Sequence, residues 1–87
     1  MVTSVVGPLL PEWFPRLKGG KFSLANVSEA WTVEVYDVRG RLCFRGQAEA
    51  GVRSIDWHAG DAARPGVYFA RARSATRALG KSKFVVF

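Results

Sequence analysis

The stretch Trp31-Thr-Val-Glu-Val-Tyr-Asp-Val-Arg-Gly-Arg-Leu-Cys-Phe-Arg45 contains two alternating segments on either side of a turn signal. In the first segment every second residue is apolar, which places these side chains on one face of a strand. The turn signal consists of Asp37, which can accept hydrogen bonds from nearby backbone, and Gly40, which can adopt a positive φ. In the second segment Leu42 and Phe44 are expected to face inward. The stretch therefore predicts a β-hairpin with one apolar face.

The same alternation recurs in four more segments, with turn signals between them and no segment of helical period. These segments are Lys21–Ala25, Val52–Trp57, Val67–Arg73 and Lys81–Phe87. Short antiparallel strands that bury one face need a second layer to cover that face. The sequence therefore predicts an all-β fold, a small immunoglobulin-like antiparallel β-sandwich of six to seven strands. A small barrel is the alternative.

The connection at residues 58–66 is predicted to be a loop, because it is rich in Gly, Ala and Pro. A short helical turn is expected within it, at residues 61–64. Pro65 and Gly66 fit the middle of a type II turn, since Pro fixes φ and Gly accepts a positive φ.

Residues 1–15 are predicted to form a separate proline-rich segment, because they contain three of the four prolines, which block a helix and favour an extended path. The sandwich domain is then predicted to cover residues 16–87. Trp13 and Phe14 are large for a linker. They either cover an open end of the core or dock onto a neighbouring domain or a second copy of the chain.

With 87 residues the chain has room for one small domain, and its 48% of hydrophobic residues predicts a packed core. One Cys and one His exclude most metal sites, disulfide frameworks and Cys-His or Ser-His catalytic sites. The carboxylates are dispersed, and the sequence has no phosphate-binding glycine loop or nucleophile-elbow serine. We therefore expect a protein that is not an enzyme and uses no cofactor or metal. His58 is expected to face solvent, and Cys43 to be either a small buried side chain or a residue of the opposite face.

The net charge of +6 is concentrated in the second part of the sequence, since residues 1–37 carry −1 and residues 38–87 carry +7. A basic surface attracts anions such as nucleic acid, acidic glycans or lipid head groups, and it also promotes solubility. The candidate polyanion site is a basic hairpin that contains an aromatic residue, with Phe69, Arg71, Arg73, Arg77, Lys81 and Lys83. Charge beside an exposed ring suits single-stranded nucleic acid, and a solvated arginine face is the alternative.

Carbohydrate binding is a third functional class, because exposed aromatic rings can form flat platforms on a β-sandwich. Trp31 and Trp57 alternate in phase with other apolar residues of their segments, which places both rings in the core. Trp13 is then the one tryptophan left to form such a platform.

Four segments resemble a known family in their order and spacing. They are residues 33–42 (VEVYDVRGRL), 51–57 (GVRSIDW), 65–71 (PGVYFAR) and 83–86 (KFVV). They resemble the C-terminal sorting domains of proteins exported by the type IX secretion system, and the chain is similar to the related immunoglobulin-like module of flagellar hook-capping proteins. The resemblance covers about residues 15–87. The sequence departs from the family where an Asn-Pro pair is usual and here reads Phe-Pro, and in a shortened segment after the second core tryptophan.

The resemblance implies a non-catalytic sorting or attachment module at the end of an exported protein, with secretion machinery or a linked upstream domain as its partner. It assigns recognition to the turns and the last strand, at Gly40, Pro65, Gly66, Tyr68, Lys83, Phe84, Val85 and Val86. For the first four residues, turn geometry and core packing are the alternative explanation. For the last four, an edge-strand signal and a plain core strand are both open interpretations. Self-association through open sheet edges is a further expectation.

The expected location of the protein depends on whether the chain is part of an exported protein. The N-terminus lacks a basic segment, an uninterrupted apolar stretch and a cleavage site, and no run approaches the ~20 apolar residues of a membrane span. We expect an extracellular or cell-surface location if the chain is part of an exported protein, and a cytoplasmic one if Met1 is the true start.

Overall fold

The computed structural model of the chain describes residues 9–17, 19–25, 27–58 and 64–86. This part of the chain contains seven β-strands and a 3-10 turn at Pro15–Leu17. The strands are β1 (Leu10–Phe14), β2 (Gly19–Ser23), β3 (Trp31–Tyr36), β4 (Leu42–Ala48), β5 (Ser54–His58), β6 (Gly66–Ser74) and β7 (Ala78–Val86).

The strands form two antiparallel sheets with the orders β1-β2-β5 and β4-β3-β6-β7. After β4, residues 49–53 lead the chain from the four-stranded sheet to the three-stranded one. The apolar faces of both sheets contribute to one core. The prediction of a small all-β sandwich of antiparallel strands is thereby confirmed, and in the described residues the two sheets do not close into a barrel. Strands β4 and β7 are the edges of the four-stranded sheet.

The core is built from alternate residues of the strands, as the period-2 patterns predict. Trp31, Val33 and Val35 of β3 are each at most 2% exposed. From the opposite sheet, Phe22 and Trp57 stack with their ring centroids 5.2 Å apart. The predictions that Trp31 and Trp57 belong to the core are confirmed.

The inward placement predicted for Leu42 is wrong, because the pairing of β3 with β4 contains an irregularity. Val35 pairs with Phe44, whereas the next residue, Tyr36, pairs with Leu42, so that β4 has one extra residue at this point. An extra residue in a period-2 strand reverses the face of the residues beyond it. Phe44 therefore packs against the core, and Leu42 is 48% exposed.

Strand β1 is the element that the sequence patterns do not predict. It lies in the proline-rich segment and pairs only with β2, with Pro11 opposite Phe22. Proline is tolerated there because an edge strand has one side without a hydrogen-bonded neighbour. Residues 10–14 are thus extended, as expected of this segment, and belong to the sandwich. The Trp13 ring lies 5.2 Å from the Trp57 ring, which confirms the interpretation that it covers one end of the core.

The turn between β3 and β4 has the predicted chemistry. Asp37 Oδ1 accepts hydrogen bonds from the backbone N–H groups of Arg39 and Arg41, both at 2.9 Å, and Gly40 has a φ of 84°. These bonds, the one from Arg41 above all, hold the pKa of the Asp37 carboxyl below its ordinary value.

The connection before β6 differs from its prediction in the part that is described. Gly66 has a φ of 153°, whereas the third position of a type II turn needs about 80°, so the prediction of that turn type is wrong. A helical turn is predicted at residues 61–64. Residues 61–63 of this range lie outside the described residues, so that prediction stays a prediction.

A hydrogen bond from Tyr68 fixes the position of the chain just before β6. The ring is 7% exposed, and its hydroxyl donates to the backbone carbonyl oxygen of Arg64 at 2.7 Å. A buried tyrosine that bonds backbone a few residues upstream is the tyrosine corner of immunoglobulin-like sandwiches. The contact holds the incoming chain against the sheet.

Replacement of Tyr68 by phenylalanine is expected to lower the free energy of unfolding by about 1 kcal/mol, because it deletes this bond and leaves the carbonyl oxygen without its donor. Urea denaturation measures the change. An unchanged dependence on urea concentration is the control that the variant exposes the same surface on unfolding. A stability equal to that of the parent chain would contradict the corner as a stabilising contact.

Candidate functional site

Side chains of the types that bind metals do not cluster in the described residues. Among them, no group of three or more His, Cys, Asp or Glu residues could hold a metal ion. His58 is exposed at the end of β5, as expected. Cys43 is exposed, so it is not the small buried side chain that was one of the two expectations. Two surfaces of the four-stranded sheet are the candidate sites.

The first candidate is the last strand, β7, which is an edge strand. It pairs with β6 on one side, and the sheet order places no strand of the described chain on its other side. Its residues alternate: Phe84 and Val86 pack into the core, whereas Lys83 and Val85 are exposed. Val85 is 47% exposed despite its apolar side chain. Core packing accounts for the first pair, and the second pair is available to a partner.

Phe84 joins β7 to the opposite sheet. Its ring lies 5.6 Å from the Phe22 ring and 5.5 Å from the Trp57 ring, in both cases edge to face. The Tyr68 ring stacks on it at 6.0 Å. The edge strand is therefore held in place by aromatic contacts beneath it as well as by its pairing with β6.

The predicted recognition turns lie at one end of the four-stranded sheet. Gly40 follows the end of β3, Gly66 begins β6, and Gly66 pairs with Val86 at the end of β7. Because β3 is antiparallel to β6, the end of β3 and the start of β6 are neighbours. Pro65 is exposed at this end. Tyr68, by contrast, is a buried corner residue and does not reach the surface.

The second candidate is the outer surface of the four-stranded sheet, here called the basic–aromatic face. It contains Tyr36, Arg45, Phe69, Arg71, Arg73, Lys81 and Lys83. The register aligns outward residues of neighbouring strands in rows: Tyr36 pairs with Phe69, and Phe69 with Lys83. The next row contains Arg45, Glu34, Arg71 and Lys81. Phe69, Arg71 and Arg73 lie on one face of β6, as the period-2 pattern of residues 67–73 predicts.

One buried carboxylate organises the arginines of this face. Glu34 Oε2 lies 2.8 Å from Arg45 Nη2 and 3.5 Å from Arg73 Nη2, and Glu34 Oε1 accepts from Arg71 Nη2 at 3.4 Å. The Tyr36 hydroxyl donates to the same Oε1 atom at 3.0 Å. The Glu34 side chain is 2% exposed, whereas the arginine side chains are about half exposed. One negative charge thus orients three positive charges at the surface.

The same contacts control the ionisation of Glu34. The hydrogen bond from Arg45 is the largest influence, and the bonds and charges of Tyr36, Arg71 and Arg73 add to it. Together they outweigh burial, which disfavours the charged form, and hold the pKa of Glu34 below its ordinary value. The carboxylate is therefore ionised at neutral pH.

Arg77 differs from the other basic candidates. It lies in the turn between β6 and β7, where its Nε atom donates to Glu29 Oε2 at 3.1 Å. Its charge is matched by that carboxylate, which also accepts from the Thr76 hydroxyl. Arg77 thus lies in a turn and is paired with Glu29, whereas Phe69, Arg71 and Arg73 lie on strand β6.

The tryptophans do not form a carbohydrate platform. Trp31 and Trp57 are at most 3% exposed, and Trp13 packs against the core cluster. The exposed aromatic ring of the basic–aromatic face is Phe69, at 42%.

Sequence reasoning missed Glu34 and Arg45 as members of this face. Alternation places Glu34 on the outer side of β3, which is a usable signal. The pairing of β3 with both β4 and β6 is what brings Arg45, Arg71 and Arg73 to it, and register between distant strands cannot be read from local patterns.

In the described residues, no helix has the length and apolar character needed to cross a membrane. Comparison of the sequence with protein-family models and with curated proteins gives no match.

Proposed function

We propose that the chain is a non-catalytic sorting or attachment module of an exported protein, and that its partner recognises strand β7. The observation that carries the proposal is the position of this strand: among the described strands it has an unpaired edge, and its inner side is packed into the core. The resemblance of residues 33–42, 51–57, 65–71 and 83–86 to type IX sorting domains supports the same assignment.

An edge strand is suited to recognition because its backbone N–H and C=O groups on one side have no strand partner. A receptor can add a strand of its own there, and the side chains at alternate positions then supply specificity. In β7 those side chains are Lys83 and Val85, which are exposed. Phe84 and Val86 keep the strand in a fixed position, so little ordering is needed on binding.

The turns at the same end of the sheet extend this surface. Gly66 pairs with Val86 at the end of β7, so a partner that docks on Val85 would meet Gly66 and the preceding Pro65; Gly40 lies two strands away, in the turn between β3 and β4. The proposal therefore assigns recognition to the edge of β7 and these turns, and assigns a packing role to Tyr68, Phe84 and Val86.

A reporter secretion assay tests the proposal. The full chain, residues 1–87, is fused to the C-terminus of a reporter in a host with type IX secretion, and we expect the reporter outside the cell. The double variant Lys83→Glu, Val85→Ser should reduce the secreted fraction about tenfold, the effect of losing about 1.4 kcal/mol of binding free energy. Both side chains are exposed, so folding should be retained.

The matched control is Arg53→Glu, Val52→Ser, which makes the same two kinds of change at exposed positions of the loop before β5. It should be secreted like the parent chain. A reporter that stays inside the cell with the parent chain would overturn the proposed function. Equal secretion of the two double variants would overturn the assignment to β7.

A further inference from the structure

We propose that the basic–aromatic face binds single-stranded nucleic acid, with bases stacking on Phe69 and Tyr36 and phosphates contacting Arg71, Lys81 and Lys83. This site goes beyond the proposed recognition of β7. It uses the outer surface of the sheet and shares Lys83 with the proposed recognition surface, whereas a receptor strand would pair with the backbone at the edge of β7.

The placement of the two aromatic rings is the first support. Tyr36 and Phe69 are directly paired across β3 and β6, which places them on adjacent strands about 4.8 Å apart. Phe69 is 42% exposed, so its ring can be reached from solvent. Both rings line a shallow depression whose other side chains include Arg71, Lys81 and Lys83. A sheet surface that presents an exposed ring offers a stacking platform for a base.

The charge around the rings is the second support. The face carries five basic side chains, Arg45, Arg71, Arg73, Lys81 and Lys83, against the single carboxylate of Glu34. Within the described part of the chain, Lys81 and Lys83 form no ion pair. Lys83 pairs with Phe69 across the sheet, and Lys81 pairs with Arg71. Phosphates therefore find cations on the β7 side of the rings.

Glu34 orients the arginines of this face before a ligand binds. By accepting from Arg45 and Arg71, the carboxylate holds their guanidinium groups at the surface and keeps them about half exposed. Arg71 also lies over the Tyr36 ring, with its central carbon 5.8 Å from the ring centroid. A guanidinium that is already oriented loses less conformational entropy when it binds a phosphate.

The chemistry favours single strands over a duplex. In a duplex the faces of the bases are covered by stacking, so Phe69 and Tyr36 would have nothing to contact. The face is a sheet surface and does not project a helix that would enter a major groove. A polyanion without bases would engage the lysines and arginines but leave both rings unused.

Fluorescence anisotropy of the full chain with a labelled oligothymidine of about 12 nucleotides tests the proposal. We expect binding that weakens about 20-fold between about 50 and 200 mM salt, as three phosphate contacts to a single strand predict. Phe69→Ala should weaken binding about tenfold through the lost stacking. Lys81→Ala should lower the salt dependence by about 0.7 in the log–log slope.

Two matched controls separate the face from general effects. Val52→Ala also truncates an exposed apolar side chain (44% exposed), and Arg39→Ala removes one positive charge from an exposed turn. Both should bind like the parent chain, and thermal melting checks that every variant is folded.

Three results would overturn the proposal. The first is the absence of binding at the lower salt concentration. The second is equal or tighter binding of a duplex of the same length. The third is a loss of oligothymidine affinity in Phe69→Ala that is no greater than in Val52→Ala. That result would show that the face contacts only the phosphates, as it would contact any polyanion without bases.

Discussion

Replacement of Trp57 by alanine is expected to lower the free energy of unfolding by about 3–5 kcal/mol. A domain of 87 residues has roughly 4–13 kcal/mol in total, so this single change removes a large part of its stability. Chemical denaturation with circular dichroism or fluorescence measures the loss. The melting temperature should fall by more than about 10 °C, since each kcal/mol shifts it by about 4–8 °C at this size.

The size of this effect follows from the central position of the Trp57 ring. It is 3% exposed and contacts four other aromatic rings within 6.0 Å, those of Trp13, Phe22, Phe44 and Phe84. These rings come from β1, β2, β4 and β7, so the indole joins both sheets. Alanine would leave a cavity that the surrounding strands cannot close without breaking their pairing.

Gly20 shows how closely the indole is packed. A Cβ atom added at this position would overlap the Trp57 ring and the backbone oxygen of Glu12. The absence of a side chain at Gly20 is thus what allows the ring to lie against β2 and below β1.

Trp57→Phe is the informative control for this prediction. It keeps an aromatic ring in the cluster and deletes the indole N–H, which is buried and has no hydrogen-bond acceptor among the described residues. Because an unsatisfied buried donor is unfavourable, its removal offsets part of the lost packing. The loss should therefore be less than half of that in Trp57→Ala. Equal losses in the two variants, or a loss below about 1 kcal/mol in Trp57→Ala, would contradict the central role of the ring.

Glu34→Gln is expected to lower the free energy of unfolding by about 2 kcal/mol at pH 7, because it removes the charge that binds Arg45, Arg71 and Arg73. The three arginines would then face one another without a carboxylate between them. Glutamine keeps the shape and the length of the side chain, so the change reports on charge and not on packing.

The pH dependence of this loss is the measurement that identifies its cause. The pKa of Glu34 is lower in the folded chain than in the unfolded one, so the carboxylate stabilises the fold at pH values above the unfolded pKa. The contribution disappears as the pH falls through the folded pKa. The difference in stability between the parent chain and Glu34→Gln should therefore shrink on acidification below about pH 4.

Comparison of these two chains also isolates Glu34 from the other acidic groups. Glu29 and Asp37 have lowered pKa values as well, but they are present in both proteins, so their contributions cancel in the difference. A difference that stays constant from neutral to acidic pH would show that the charge of Glu34 is not what stabilises the sheet.

The parts of the fold that could be predicted from the sequence are those fixed by local chemistry. The hairpin at residues 31–45 follows from alternation and from a turn in which Asp37 and Gly40 satisfy nearby backbone. The inward placement of Trp57 and Tyr68 follows from the same period. Strand β1 could not be predicted, because its prolines argue against a strand and its pairing with β2 is a tertiary contact.

The candidate sites also combine features that local sequence predicts with features that depend on tertiary contacts. That Phe69 and Arg71 share a face is a property of one strand and can be read from its sequence. The contact of Glu34 with Arg71 spans 37 residues, and that of Glu29 with Arg77 spans 48, so both depend on which strands meet. The outward turn of Leu42 depends on an irregularity in pairing that has no clear signal in composition.

The position of β6 in the middle of the four-stranded sheet has a consequence for biosynthesis. Before this strand leaves the ribosome, β3 can pair only with β4, and its other side has no neighbour. Pairing of β6 with β7 is local and closes a short loop, but pairing with β3 joins residues as distant as Trp31 and Ser74. The four-stranded sheet can therefore be completed only after β6 has been synthesised and has paired with β3.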